Sequence, residues 1–528
     1  MRKFIKNHKA ALIFTVFLFY LYFRGIGDHG LIDNVEGVNS SVAVHMLAGG
    51  NYFTPKIGES LTAGSTMGTW WLMALALKIF GWGEFSVRFW QALSGLGMIL
   101  ISAMLACSDE NSRGRAWLAS SMCAGTAVCF IVSQIASSHA IFAFLMSLAL
   151  LGIINSKEEK EWLMISHASI AFAFIIHGLS GIFMPFIAVA AYCVVCDDME
   201  LLKDFFTWPF GIIINLALSG LYVTSLIMVN PQVLFFMVCR NHIYTFGGVL
   251  GTIIFIFVAF APFHGFLLQA LIEIFPRKYP AEKNSELLMF IWALTFICLA
   301  IFSGDVLLIS ASAPALCAIL GIRFDFWLRG KMLPVRYAVL MNILILVPMF
   351  YVFLPFVAKY FPVISGSLMS LIPYEITLGI FIFASWYYTR TKQIEKWVRN
   401  VPIAALICLM PAAGVFSLTS DLYSIRDIAL KMRDVIQGSD IVIQYEINHP
   451  SVYFYTFRNS VLVNSPLTPG VEEKKLISDK AIISNLWIRR DRVFLVIPSD
   501  KISEAELPNK NVNPIHEING ILLLSNKN

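Results

Sequence analysis

Charge is what this chain has least of. Only 14% of its 528 residues are Asp, Glu, Lys or Arg, against about 25% in soluble domains. A surface so poor in charge cannot face water throughout. With 58% hydrophobic residues and a mean hydropathy of +0.72, most of the chain must face lipid. That excludes a cytosolic enzyme, a disordered chain and a nucleic-acid binder. Cysteine is the second shortage: there are nine, almost all inside apolar runs, where they act as small buried hydrophobes. Cys193 and Cys196 have CxxC spacing at the end of a span, but no second pair stands by to complete a metal site. The polar stretch after residue 418 has no cysteine, so no disulfide framework holds it. Internal repeats and low-complexity tracts are absent too.

What is present is a series of apolar runs. About 20 apolar residues cross a bilayer, and on that scale the chain holds about thirteen spans. They lie near 10–23, 86–107, 115–134, 138–155, 162–177, 178–195, 207–229, 248–270, 286–302, 304–322, 336–357, 374–389 and 401–418. The first follows a basic N-terminus (Arg2, Lys3, Lys6, Lys9) with no small-residue cleavage site after it, so it reads as a retained helix and not a signal peptide. With that terminus inside, the cytoplasmic loops collect Arg113, Arg115, Lys157, Lys160, Lys203, Arg277, Lys278, Lys283, Arg323, Arg329, Lys331, Arg336, Arg390, Lys392, Lys396 and Arg399. The outer loops keep little beyond Arg24, Lys56, Lys78, Arg88, Arg240 and Lys359. This is the positive-inside bias, and an odd number of spans puts the C-terminus outside.

The expected organisation is a polytopic α-helical membrane part, 1–418, followed by a small α/β domain, 419–528, on the outer side. The outer loop 24–85 carries helical patterning at Val38–Leu47 and Thr69–Phe80, both too short to span and suited to the interface. In the tail, Asp421–Gln437 is an amphipathic helix with Leu422, Ile425, Ile428, Ala429 and Met432 on one face. Strands are expected at Ile441–Tyr445, Val452–Tyr455, Ser460–Val463, Arg492–Ile497 and Gly520–Leu524.

Ionisable side chains are nearly missing from mid-span, where an ion-coupled transporter would keep them. They gather instead at the outer surface: Asp28, His29, Asp33, Glu36, His45, Glu59, Glu84, Arg88, His139, His177, Arg240 and His242, with Asp305 and Glu375 near outward span ends. Carboxylates, imidazoles and an arginine at lipid level suit chemistry on a lipid-borne phosphate better than permeation.

The outer loop reads GLIDNVEGVNSSVAVHMLAGGNYFTP from Gly30, then WWLMALALKIFGWGEFSVRFW. It resembles the first outward loop of the lipid A aminoarabinose transferases and the dolichyl-phosphate-mannose protein mannosyltransferases. The matching residues are Glu36, Met46-Leu47, Gly50, Thr54-Pro55, Trp71-Leu72 and Gly83-Glu84-Phe85-Ser86-Val87-Arg88. VYFYTFRNSVLV around Arg458 and the ending LLLSNKN resemble that family's outer C-terminal domain. The resemblance implies a GT-C fold and transfer of a sugar from a polyprenyl-phosphate carrier on the outer face. It also implies a carboxylate as general base on the acceptor hydroxyl and cationic stabilisation of the leaving lipid phosphate.

Residue by residue, several charged positions of that family are exchanged. Glu36 stands at the second acidic position of the opening pair and Val35 at the first, with Asp33 the nearest replacement. A Glu-Lys-Pro-Pro segment falls on Gly64, Ser65, Thr66 and Met67. The arginine and the acid of an Arg-x-Asp stretch fall on Ser137 and His139. A lysine before Gly-Pro falls on His177, followed by Gly178 and Leu179. Asn241-His242 is retained beside Arg240.

Asp33 and Glu36 are therefore the candidate catalytic carboxylates, although acids also cap helices. Arg240, Asn241, His242, His139, His177 and Arg458 are the candidates for the lipid phosphate and the substrate, since guanidinium and protonated imidazole both pair with phosphate. Arg458 also suits ordering of the tail, and Arg88 a structural tie to Glu84 or a neighbour. His139 and His177 could also hold a metal, but no Cys or Glu stands at ligand spacing beside them, so a divalent metal stays open as a cofactor without the sequence indicating one or assigning metal residues. The expected partners are a polyprenyl-phosphate-linked sugar, an envelope glycolipid, glycan or protein as acceptor, and membrane lipids. The expected location is a bacterial inner membrane, with the N-terminus cytoplasmic and the tail periplasmic. A non-catalytic relative that binds the carrier, or serves as a partner subunit, is the alternative, favoured by the loss at Gly64-Ser65. The retained Glu36 and Asn241-His242 favour the enzyme.

Overall fold

The computed structural model describes residues 2–57, 60–62, 66–107, 113–229, 231, 251–253, 255–256, 259–274, 285–329, 335–347, 368–391, 393, 396–397, 400–407, 409–410, 424–466, 481–488, 491–505, 507 and 512–527. In chain order the helices are α1 (Arg2–Phe23), α2 (Val38–Gly49), α3 (Met67–Phe80), α4 (Glu84–Ala106), α5 (Arg113–Gly125), α6 (Ala127–Gln134), α7 (His139–Asn155) and α8 (Trp162–His177). There follow α9 (Ser180–Cys196), α10 (Met199–Thr207), α11 (Pro209–Val229), α12 (His264–Ile274), α13 (Ser285–Ser303) and α14 (Ala313–Leu328). Further along come α15 (Val335–Val347) and α16 (Leu368–Arg390), and residues 400–407 are helical as well. Two compact units result: one of Met1–Ile26, Arg88–Thr224 and Asn241–Phe416, the other of Gly27–Val87, Ser225–Arg240 and Ser417–Asn528.

The first unit is helical. Among the described residues, four helices are long and apolar enough to cross a membrane: Glu84–Ala106, Pro209–Val229, Ser285–Ser303 and Val306–Leu328. Helices α5 and α6, bent by 58° at Thr126, make up to five if taken as one span. Of the other expected spans, 374–389 lies within the 23-residue α16, and the rest are shorter apolar helices or fall wholly or partly outside the described residues, as at 248–270, 336–357 and 401–418. Along α11, Phe210, Ile213, Leu216, Leu221 and Met228 are exposed, an apolar face that water would not tolerate and lipid would. The chain is a multi-pass membrane protein. At helix ends expected on the cytoplasmic side, basic side chains meet acids: Arg115 and Arg329 flank Asp325 at 3.1 and 2.9 Å, and Arg323 lies 2.7 Å from Glu286.

The second unit joins the outer loop to the tail, so residues 27–87 pack with the C-terminal domain. Strands β1 (Lys56–Ile57) and β2 (Ser60–Leu61) pair antiparallel in the loop. The tail opens with α17 (Arg426–Val435), whose Ile428, Ala429 and Met432 are buried as the amphipathic pattern demands. Strands β3 (Ile441–Tyr445), β4 (Ser460–Val463), β5 (Val493–Pro498), β6 (Asn513–Ile518) and β7 (Ile521–Ser525) form one sheet in the order β4-β3-β5-β7-β6. β4 and β5 run parallel to β3, and β7 runs antiparallel to both β5 and β6. Alternate residues Ile443 and Tyr445, Val493, Leu495 and Ile497, and Leu522 and Leu524 build one core face with Ile483 and Trp487. The last two lie on α19 (Ala481–Trp487).

The expected strand Val452–Tyr455 is a helix, α18 (Ser451–Thr456). Its alternating Val-Tyr-Phe-Tyr reads as strand by period alone. Pro450 supplies a helical φ just before it, and the carboxylate of Asp33 accepts its first N–H. That partner lies 418 positions away in sequence, so tertiary contact decides the element. Helix α19, strand β6 and the amphipathic helix α10 had no expected counterpart.

Candidate functional site

Two clusters of ionisable groups, one in each unit, contain four of the predicted residues: Asp33 and Glu36 in one, His139 and His177 in the other. In the loop-and-tail unit, the chain enters α2 through a π-helical turn, Asp33–Gly37. The N–H groups of Val35, Glu36 and Gly37 all converge on the Ile32 carbonyl at 3.2, 2.8 and 3.1 Å. The Glu36 side chain answers by accepting the Ile32 N–H at 2.9 Å. This widened turn sets both predicted carboxylates in the interior, Glu36 fully buried and Asp33 nearly so. Val35, at the first acidic position of the resembling pattern, is 38% exposed.

Asp33 holds two partners. One carboxylate oxygen accepts the Ser451 N–H at 3.0 Å, and the other lies 2.9 Å from His449 Nδ1. An acid at the first N–H of α18 is the favourable end of the helix dipole. Gly37 makes this approach feasible, because a Cβ there would stand 2.9 Å from Asp33 Oδ1 and 3.0 Å from Ser451 N. Nearby, Tyr455 donates to Glu84 and accepts the Leu31 N–H, each at 3.2 Å. Arg426 donates to the Asp28 carbonyl at 2.7 Å, and its Nε lies 2.9 Å from Glu84 without pointing along that line. His45 Nδ1 and the Tyr453 hydroxyl lie 3.2 Å apart. Burial, and after it the charge of Lys56, pushes the His45 imidazole below its ordinary value, while burial pushes the Tyr453 phenol up. Arg458 donates to the Gly438 carbonyl at 3.0 Å, a tie that orders the tail.

In the membrane unit, His139 opens α7 and His177 closes α8, two helices packed along each other and joined by α7 to the 3-10 turn Val306–Ser312. Gly304, at φ 68°, turns the chain as only glycine does cheaply. Asp305 then caps the 3-10 turn by accepting the Leu307 N–H at 3.3 Å. The outcome is a triad: His139 Nε2 lies 2.9 Å from Asp305 Oδ2, and the His139 and His177 rings sit edge to face with centroids 5.2 Å apart. Ser137 and Ser138 hydroxyls lie 3.1 and 2.8 Å from Nδ1 of His139 and of His177. All three members of the triad are partly exposed.

The structure thus brings His139 and His177 together and adds Asp305, which sequence reasoning placed near an outward span end but not in the site. It sets Asp33 against His449, which no sequence signal joins. Arg240, Asn241 and His242 lie outside the described residues, as do Gly64 and Ser65. Arg88 is fully buried and donates to the Ile26 carbonyl at 2.7 Å, in keeping with a structural role, while Glu84 turns to Arg426 and Tyr455.

The fold is of the GT-C type, on the likeness to solved structures. Its particular form is that of ArnT from Cupriavidus metallidurans. The apo structure of that protein matches with a TM-score of 0.82 at 17% identity, over 99% of this chain and 98% of that one. Its structure bound to undecaprenyl phosphate matches equally, with a TM-score of 0.82 at 17% identity over 98% of both chains. An uncharacterized protein of Aquifex aeolicus (strain VF5) is 26% identical over 199 residues, which span 37% of this chain and 40% of that relative. No family model matches.

Proposed function

We propose that this protein is a membrane glycosyltransferase that moves a sugar from a polyprenyl-phosphate carrier to an acceptor of the cell envelope: lipid A, another glycan or a protein. The observation that carries the reading is the near-complete match to a fold solved with undecaprenyl phosphate bound. In this reading about thirteen spans set the N-terminus in the cytoplasm of a bacterial inner membrane and the tail in the periplasm. The acceptor hydroxyl attacks the anomeric carbon, the carbon–oxygen bond to phosphate breaks, and the lipid phosphate leaves with the bonding pair. Asp33 or Glu36 takes the hydroxyl proton. His139, His177, Arg240 and His242 offset the charge gained by the phosphate, with Asn241 and Arg458 positioning the substrates.

A second reading has a specific support: an apolar, exposed Val35 stands where the resembling enzymes carry the first acid. A protein of that kind would bind the carrier and serve another transferase. The test is a mass comparison of envelope lipids and glycoproteins in a deletion strain complemented with wild type, Asp33→Asn or Glu36→Gln. The expected outcome is a sugar mass that wild type restores and one of the two variants does not. Restoration by both variants moves the assignment to the binding protein, and no lost mass at all removes both.

A further inference from the structure

We infer that His139, His177 and Asp305 form a binding site for a divalent transition-metal ion, best suited to Zn2+, with a coordination position left open to a phosphate oxygen. One ligand atom from each of the three residues lies within 4.8 Å of one from each of the others, and no other group of three or more His, Cys, Asp or Glu among the described residues does so. Zinc bonds of about 2.0–2.1 Å in a tetrahedral site hold ligand atoms roughly 3.3 Å apart. His139 Nε2 and Asp305 Oδ2, at 2.9 Å, stand a little closer than that, and His177 offers a ligand atom within 4.8 Å of both, so closing on an ion takes only side-chain adjustment.

The surroundings match what a metal demands of its ligands. A ligating imidazole uses one nitrogen and holds a hydrogen-bond partner on the other, which fixes its tautomer and aim. Here Nδ1 of each ring faces a hydroxyl, Ser137 at 3.1 Å for His139 and Ser138 at 2.8 Å for His177. That arrangement makes Nε2 the ligating nitrogen of both. Asp305 is fixed from behind by the Leu307 N–H. Two imidazoles and one carboxylate are the donor set of catalytic zinc sites, where three protein ligands leave a position for water or substrate. Asp305 keeps 32% of its side chain exposed, which gives an ion and an anionic ligand access.

The role of the ion rests on the transferase reading above; its binding does not. In the resembling enzymes the positions of His139 and His177 carry an acid and a lysine. A cation held between two neutral imidazoles restores positive charge there, and would accept an oxygen of the lipid phosphate as the sugar–oxygen bond breaks. It forms no bond to the sugar, and the acceptor proton still passes to a carboxylate.

The test uses the full-length protein in detergent, stripped with a chelator and titrated with Co2+, whose visible absorption reports nitrogen and oxygen ligation, followed by displacement with Zn2+. One Co2+ per chain is expected, displaced by Zn2+. His139→Ala and Asp305→Ala should weaken binding by about 100-fold or more and Ser138→Ala by about tenfold. His516→Ala, on the tail sheet, should bind as wild type. Asp305→Asn, which keeps a hydrogen-bond acceptor for His139 but ligates poorly, guards against a folding artefact when its thermal midpoint is compared with wild type. Wild type that takes up no Co2+, or folded triad variants that keep wild-type affinity, overturns the site. Sugar transfer that persists undiminished in chelator overturns the phosphate role. Co2+ bound by the triad without any transfer activity leaves the site standing and the transferase reading fallen.

Discussion

Each unit contains an imidazole and a carboxylate 2.9 Å apart, and the two pairs are not alike. The carboxylates differ, Asp33 being 5% and Asp305 32% exposed, while the imidazoles are alike, His449 at 18% and His139 at 12%. Asp33 spends its second oxygen on the first N–H of α18 and is walled by Gly37. Asp305 faces a second imidazole across a cluster edged by serine hydroxyls. The same two residue types thus make a clasp in one place and a receptive site in the other. Burial of the carboxylate and its neighbouring donors decide which, since a buried hydrogen-bonded carboxylate is costly to strip of its partners and an accessible one is cheap to re-pair.

The comparison is most exposed to Asp33→Ala, which strands the buried Ser451 N–H and takes the carboxylate from the partly exposed His449 ring. A loss of about 3 kcal/mol is expected, read as a lower thermal midpoint and as faster proteolysis within the tail. Gly37→Ala should act on the same clasp from the other side, at about 2 kcal/mol, because the added methyl meets backbone at Ser451 as well as the carboxylate. Asp305→Ala, by contrast, should cost about 1 kcal/mol or less. An Asp305 variant as unstable as the Asp33 variant would erase the distinction between clasp and site.

How much of this was legible in the chain differs by unit for a physical reason. Apolar length is a strong, local signal, so expected spans such as 138–155, 162–177 and 286–302 coincide within a residue or two with His139–Asn155, Trp162–His177 and Ser285–Ser303. Strands Ile441–Tyr445 and Ser460–Val463 were equally plain, because alternation against one core face is local too. Ser451–Thr456 was not, since its helix depends on an aspartate 418 positions away. Likewise His139 and His177 could be singled out from their place at span ends. Asp305 could be seen near the same surface, but only packing of α7 against the turn after Gly304 joins it to them. His449 carried no mark at all, because its importance is the position of Asp33.

A finer contrast can be drawn inside the loop-and-tail unit, at His45. Burial first, then Lys56, makes its ring harder to protonate in the folded protein than in the unfolded chain. The unfolded state therefore binds the extra proton first as pH falls, and stability falls with it. The contribution of neutral His45 is complete above the ordinary imidazole value of about 6.5 and is lost as pH drops through and below it. Thermal midpoints of wild type and His45→Gln between about pH 8 and pH 5 should diverge, wild type losing more by at most about 1 kcal/mol. Parallel curves would mean that the Tyr453 hydroxyl, 3.2 Å from the ring, accommodates the proton without cost. His45 would then behave as the open cluster does, and burial alone would no longer separate the clasped groups of this unit from the receptive ones of the other.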